Sequence, residues 1–312
     1  MKLAIIILNW NNYDFTLSCV ASFKKAIRKD YEAVIVDNHS DNDSTRKIQA
    51  EFPEYTYIYS PVNAGIAKGN NLGIKYALGK DARFIFLGNN DIEILDSETF
   101  DKMIAYMEEN PKIGILGVKL ILPDGCVQNS VKNLPTIWNQ FYFEGLFFNR
   151  LPRSFDKEKI IDAPFVMGAA FLIRREMIED IGLEDEQFFC GHEDIDWCKR
   201  AWDAGWKVCY FPEVSIKHIG GGSSQHLYKL NFDFYFSEKL KYFKKHYSFF
   251  HVLFFRFFTS VGSLPRAISG WMKWFLKRKD ANKAYARAYT RLIYRIWVFP
   301  WKKYTVNHKY GL

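Results

Sequence analysis

Short apolar runs alternate with amphipathic stretches through the first half of this 312-residue chain. Residues 3–8, 33–36, 55–60 and 84–87 read as strands, and residues 15–27, 45–51 and 69–78 as helices. Strand followed by helix at this spacing predicts an α/β fold, with a Rossmann-like, mostly parallel central sheet flanked by helices. Ligands of such sheets bind beyond the carboxyl ends of the strands. Polar clusters stand at those places: 9–12 after the first strand, 37–43 after the second and 89–91 after the fourth. No G-x-G-x-x-G follows the first strand and no G-x-x-x-x-G-K-[ST] occurs anywhere, which disfavours a dinucleotide or P-loop fold.

The pattern changes after residue 238. Lys241, Lys244, Lys245 and Ser248 recur at i, i+3, i+4, i+7 spacing, as do Arg256, Thr259, Ser260 and Ser263. Phe249, Phe250, Leu253, Phe254, Phe257 and Phe258 fill the turns between them. This predicts a helix with a narrow polar face and a broad aromatic one, stopped at Pro265. A further helix is predicted over 282–297, with Lys283, Arg287, Arg291 and Arg295 four apart.

Charge sharpens the division. The formal +8 is the sum of two unlike parts. Residues 1–238 hold 26 Lys+Arg against 34 Asp+Glu, and residues 239–312 hold 17 basic groups against the single acid Asp280. The expectation is an acidic domain over 1–238 and a helical, basic-aromatic extension over 239–312. That extension suits an anionic membrane surface. The alternative is that its aromatic face packs on the first domain or on a second subunit, as a homo-oligomer would require. No uncharged stretch reaches about 18 residues, so a spanning helix is not expected. The opening apolar run ends at Asn9, too short for a signal peptide. Five cysteines without a C-x-x-C pair suit reduced thiols, hence a cytoplasmic chain peripheral on the inner face of the cell membrane. Nucleic-acid binding through the basic tail is the rival use of it. The acidic body and the lack of a nucleic-acid motif count against that.

Four constellations could carry chemistry. In Asp37-Asn38-His39-Ser40-Asp41-Asn42-Asp43-Ser44, an acid at a strand end can accept from a base edge or ribose hydroxyls. The same residues could make an Asx-rich turn in which Ser44 caps the next helix. The glycines of 63–73 admit a close ligand before a helix N-terminus, or simply a tight loop. Asp91, in Asn89-Asn90-Asp91, could hold a hard divalent cation, which needs only one or two protein oxygens when it bridges phosphates. A turn or cap is the plain alternative there. Glu193, Asp194 and Asp196 repel one another unless cations, hydrogen bonds or catalysis require them. A helix starting there favours acids in its first turn, where one can serve as a general base. The aromatic residues around them, Trp197 included, read mostly as core, with one available to stack on a sugar. His218 is a structural histidine or, beside a metal-binding aspartate, an imidazole ligand.

In this order, Ile6-Ile7-Leu8-Asn9-Trp10-Asn11-Asn12, Val36-Asp37-Asn38-His39-Ser40, residues 63–71, Leu87-Gly88-Asn89-Asn90-Asp91, residues 168–175, Glu193-Asp194-Ile195-Asp196-Trp197-Cys198, Gly205-Trp206-Lys207 and His218 resemble the GT-A-fold family 2 glycosyltransferases. Within them the chain is similar to the bacterial rhamnosyltransferase-like branch, over about residues 3–222. The resemblance implies inverting transfer of rhamnose or a similar hexose from a dTDP- or UDP-linked donor. The implied acceptor is a hydroxyl of a growing, lipid-linked cell-surface polysaccharide, and the implied cofactor is Mg²⁺ or Mn²⁺. Donor contacts are implied at Asn9, Asn11, Asp37, Asn38, Ser40, Asn63, Gly65, Lys68, Gly69, Asn70, Asn89, Asn90 and Asp91. Asp91 would be the metal carboxylate of the family's DxD position, whose first acid is Asn89 here, and His218 a second metal contact. Asp194 would be the general base, with Glu193 and Asp196 as rivals. Gly168, Ala169, Asp196 and Trp197 fall on the acceptor side. A sugar nucleotidyltransferase would need a glycine- and lysine-rich loop where Asn9-Trp10-Asn11-Asn12 stands. A non-catalytic glycan- or membrane-binding partner of an assembly complex is the other alternative.

Overall fold

A computed structural model describes residues 1–141, 155, 157–220 and 232–298. These fall into two compact units, the first within 1–134 and 155–220, the second within 135–141 and 232–298. In the first unit, β1 (Leu3–Asn9), β2 (Tyr31–Asp37), β3 (Thr56–Tyr59) and β4 (Phe84–Asn89) pair in parallel in the order β3-β2-β1-β4. The connecting helices are α1 (Tyr13–Phe23), α2 (Ser44–Glu51) and α3 (Ile66–Gly79). Strands and helices alternate where the apolar runs predict them.

Beyond β4 the sheet departs from a simple winding. The chain crosses it through β5 (Ile92–Ile94), α4 (Thr99–Glu109), β6 (Ile113–Ile121) and two short elements, β7 (Val131–Lys132) and α5 (Ile137–Gln140), the last belonging to the second unit. It returns through β8 (Ile161–Asp162), β9 (Phe165–Val166), β10 (Ala170–Arg174), α6 (Arg175–Ile181), α7 (Glu193–Asp203) and β11 (Lys207–His218). Strand β10 runs antiparallel between β4 and β6, and β5 antiparallel on the far side of β11. Two apolar layers cover the sheet. One holds Ile5, Phe86, Phe100 and Leu116. The other holds Ile6, Leu87, Phe171 and Trp197. The carboxyl ends of β1, β2, β4 and β11 and the start of β10 share one edge, which positions the site.

The second unit is helical: α8 (Phe232–His246), α9 (Phe249–Lys277) and α10 (Asp280–Val298). Helix α8 runs through the 238/239 position where the sequence suggested a boundary, and Lys241 pairs there with the buried Glu238 at 2.6 Å. One expectation fails. The helical break lies at Tyr247–Ser248 rather than at Pro265, which sits inside α9. A mid-helix proline removes one N–H and crowds the carbonyl of residue i−4, here Val261. The next carbonyl, that of Gly262, accepts from Arg266 Nη1 at 2.8 Å. The polar stripe also turns inward, since Thr259 and Ser263 are buried while Phe249, Phe250, Phe254 and Phe257 are exposed. Among the described residues no helix is long and apolar enough to cross a membrane.

Candidate functional site

At the ends of β1 and β2, polar side chains first build the loops. Asn9 is wholly buried. Its amide donates to Ser44 Oγ at 3.0 Å and Thr45 Oγ1 at 2.6 Å and accepts from Thr16 Oγ1 at 2.8 Å. With its hydrogen bonds spent behind the site, Asn9 anchors α1 and α2 rather than meeting a donor. Ser44 does not cap its helix, because its hydroxyl serves Asn9. Asn11, at φ +54, donates its N–H to Ser40 Oγ and accepts from the Asp41 N–H, both at 2.9 Å. One oxygen of Asp37 accepts from the Ser40 N–H at 2.8 Å. Asn38 donates to Asn63 Oδ1 at 3.1 Å and Gly65 O at 3.2 Å. Its own Oδ1 is buried and meets no hydrogen-bond donor among the described residues, so acceptor capacity is left there.

The glycine-rich segment owes its glycines to packing. Gly65 holds φ +97, and a Cβ there would lie 2.3 Å from the Phe189 carbonyl oxygen. That oxygen also accepts from the Ile66 N–H at 2.6 Å, consuming one of the helix N-terminal donors. A Cβ on Gly69 would lie 2.4 Å from Leu8 Cδ1, so this glycine lets α3 settle on β1. Asn70 donates to Glu184 Oε2 at 3.0 Å. Lys68 lies half-buried in the first turn of α3. Close packing on Phe189 and Leu8 alone accounts for glycine at 65 and 69, and Asn70 holds Glu184.

Where β4 ends, Asn89 is exposed, and Asn90 is buried and donates to Thr16 Oγ1 at 2.9 Å. Asp91 is also buried, with Oδ1 3.4 Å from His218 Nε2. The meeting follows from register, because His218 pairs with Ile92 across β11 and β5. On its other nitrogen, His218 Nδ1 lies 2.7 Å from Gln128 Oε1. When Nδ1 carries the proton and donates to Gln128, the Nε2 lone pair points at the Asp91 carboxylate. Two electron-rich atoms facing each other, the imidazole anchored from behind, form a donor set that fits a divalent cation. No group of three or more metal-binding side chains occurs among the described residues. A cation here would complete its shell with phosphate and water, as Mg²⁺ commonly does.

Asp194 lies in the first turn of α7. The turn before it is tight: Gly191 and His192 both hold φ +81. That backbone costs a non-glycine residue about 1 kcal/mol. It directs Asp194 back to the sheet edge, where Oδ2 accepts from the Gly168 N–H at 2.9 Å and Oδ1 from the Ile195 N–H at 2.8 Å. A Cβ on Gly168 would meet Asp194 Cβ at 3.0 Å, so glycine makes room for the carboxylate. Burial raises the Asp194 pKa above its ordinary value, while the two N–H groups and the Lys132 ammonium pull it down. Glu193 is buried at the helix start. Asp196 is wholly buried and turned to Arg200 Nε at 2.8 Å, which removes it from both the base and acceptor roles. Trp197 is likewise core, donating to Gly182 O at 3.0 Å and edge-on to Phe171, not a sugar platform. The Ala169 side chain is buried, and its carbonyl accepts from the Asn89 N–H at 2.9 Å. Gly168-Ala169 therefore joins the Asp194 carboxylate to the strand end that carries Asp91.

Three residues at this edge carry no motif. Gln128 follows a turn after β6, Lys132 lies on β7, and Glu184 is buried beneath α3 with its carboxyl pushed up to about 8. Burial is the main cause, and the nearby Asp194 and Asp196 charges add to it.

Residues 4–182 match the family model for glycosyl transferase family 2. A dTDP-rhamnosyl transferase, RfbF of Shigella flexneri, is 28% identical over 207 residues, which cover 64% of this chain and 63% of that protein. The N-acetylglucosaminyl-diphospho-decaprenol L-rhamnosyltransferase of Mycobacterium tuberculosis is 23% identical over 216 residues, or 64% of this chain and 70% of that one. The match thus leaves more than a third of the Shigella protein uncovered. Among solved structures, a mannosyltransferase from Pyrobaculum calidifontis in complex with GDP-Man and Mn²⁺ superposes with a TM-score of 0.59 at 13% identity, covering 96% of this chain and 88% of that one. GalNAc-T7 with UDP, GalNAc and Mn²⁺ gives 0.55 at 14% identity, over 77% and 51%. These likenesses establish a shared, GT-A-like fold.

Proposed function

Because the chain belongs to glycosyl transferase family 2, we propose that it moves a sugar from a nucleoside-diphosphate donor to an acceptor hydroxyl with inversion at the anomeric carbon. The observation that carries this reading is the Gly168-Ala169 link, which sets the Asp194 carboxylate and the Asp91–His218 pair at one sheet edge. Asp194 takes the proton of the acceptor hydroxyl as its oxygen attacks. A carboxyl lifted by burial is a better base than an ordinary one. The attacking oxygen forms the new glycosidic bond while the bond to the diphosphate breaks, and its electron pair leaves with the phosphate. One base and one leaving group need no second carboxylate nucleophile, so a single displacement suffices. Asp91 and His218 would hold Mg²⁺ or Mn²⁺, which when bound neutralises charge on the departing diphosphate. Asp37 and the open acceptor of Asn38 suit the nucleoside.

The donor in this reading is dTDP-rhamnose or a UDP-hexose, and the acceptor a lipid-linked glycan of cell-surface polysaccharide. The enzyme works at the inner face of the cell membrane, docked through residues 239–312. Thermal stabilisation by a panel of nucleotide sugars with Mg²⁺, followed by transfer assays on the stabilising donor, tests it. A chain that no nucleotide sugar stabilises, and that transfers none, would not be this enzyme.

A further inference from the structure

Helix α9 is inside out for a helix in water. Its exposed residues include Phe250, Phe254, Phe257, Leu264, Met272 and Phe275. At 100° per residue these fall on one half of the cylinder. Phe249 and Leu276, 74% and 80% exposed, mark the two ends of that half. The opposite half is buried and mostly small: Thr259, Gly262, Ser263, Ala267 and Gly270. Gly270 lies so close to α10 that a Cβ on it would be 2.9 Å from Ala286 Cβ. An aqueous helix pair buries its phenylalanines and leaves its threonines and serines in water. The reverse arrangement, with small residues sealing the seam and large ones outside, is that of helices whose surroundings are themselves apolar.

The four cations of α9 are kept off this face. Arg256 lies over the Trp297 ring at 5.9 Å and Arg266 over Tyr289 at 5.8 Å, both on α10, and Lys273 and Lys277 fall on the opposite half of the cylinder. Residues 249–276 therefore present an uncharged apolar face about 40 Å long, far beyond the patches that soluble monomers expose. A second copy is a poor occupant. Residues 239–312 carry 17 basic groups and one acid, so face-to-face pairing would bring like charge together. Anionic headgroups neutralise the same charge, to which the exposed Arg287, Arg291 and Arg295 of α10 contribute at long range. No described helix can span a bilayer, so the face must lie along one.

We propose that α9 lies in the plane of an anionic bilayer, with its 249–276 face sunk into the headgroup–acyl boundary and α10 sealed behind it. This rests on the membrane-docking part of the reading above and adds the mode of binding. The full chain is tested for co-sedimentation with vesicles of phosphatidylcholine plus phosphatidylglycerol, in low and high salt. Phe254→Ser/Leu264→Ser removes apolar area from exposed positions, where folding has nothing to lose, and Arg291→Gln removes one cation. The double variant should lose about tenfold or more in vesicle partitioning at both salt concentrations. Arg291→Gln should lose less, and only in low salt. Equal binding by the double variant and the parent overturns the proposal. So does a parent that dimerises without lipid and is made monomeric by the double variant. The assay contains no nucleotide sugar, so a chain that binds vesicles yet transfers no sugar sinks the catalytic reading alone.

Discussion

Glu184 offers the sharpest quantitative test of the structure. Its carboxyl is buried, one oxygen accepts from Asn70, and its pKa stands at about 8 against an ordinary 4.5. The folded chain therefore holds this proton over a range in which the unfolded chain has lost it. Stability falls with pH wherever the native state binds the extra proton. The loss begins as pH passes 4.5 and is complete above about 8. Between about pH 5 and pH 8 the shift amounts to on the order of 3 kcal/mol. Glu184→Gln removes the titration and keeps the geometry, because the Gln carbonyl can still accept from Asn70. Urea unfolding of parent and variant at several pH values gives the difference directly. The variant should gain on the parent by that amount as pH rises from 5 to 8. A stability difference that stays flat with pH would show that Glu184 is ionised in the folded chain, and the burial argument would be wrong.

Asp194→Asn should abolish transfer while nucleotide-sugar stabilisation survives, measured by paired activity and melting assays. Near-normal turnover would take Asp194 out of the base role. A chelator should stop transfer, with Mg²⁺ or Mn²⁺ restoring it. Gln128→Leu, which frees His218 from its anchor, should weaken Mn²⁺ binding in the presence of a nucleoside diphosphate by about tenfold or more, read by electron paramagnetic resonance. Gly65→Ala combines positive φ with a 2.3 Å collision against Phe189 O. It should cost more than about 2 kcal/mol in urea unfolding, and a neutral result would mean that the loop is not packed as described.

The parallel core was legible because buried strands announce themselves as apolar runs between helical periods. Asp91 and Asp194 stood out only through the ordered set of family motifs, because an acid after a strand or in a first helical turn is otherwise an ordinary cap. Sequence could not tell which polar neighbours face a ligand. Asn9 and Asn38 both border strand ends, yet Asn9 saturates itself on Thr16, Ser44 and Thr45 while Asn38 keeps an acceptor open. The difference lies in partners some 35 residues away for Asn9. Asp196 fails as a site residue for a local reason, the Arg200 one turn on. That i, i+4 pair was visible in the sequence but carried no sign that it was buried. Gln128 had no signal at all, since it reaches His218 only through the pairing of β6 with β11.

The distribution of charge at the sheet edge has a logic of its own. Most of the polar scaffold is carboxamide: Asn9, Asn38, Asn63, Asn70 and Asn90 tie loops together without adding charge. Buried carboxylates in those places would each need a counter-ion. Of the acids that remain, Asp37 has the Ser40 N–H and Asp194 has the Gly168 and Ile195 N–H groups, while Asp91 faces the Nε2 lone pair of His218, a pairing that a bound cation would relieve. Asn89, where the family pattern has an acid, belongs to the same economy. One carboxylate and one imidazole would leave a divalent cation with net positive charge to present to a diphosphate. A second carboxylate at position 89 would cancel that charge before the donor arrived. In the proposed reading, the asparagine favours a cation that arrives with, and is held by, the donor's phosphates over one bound permanently by the protein.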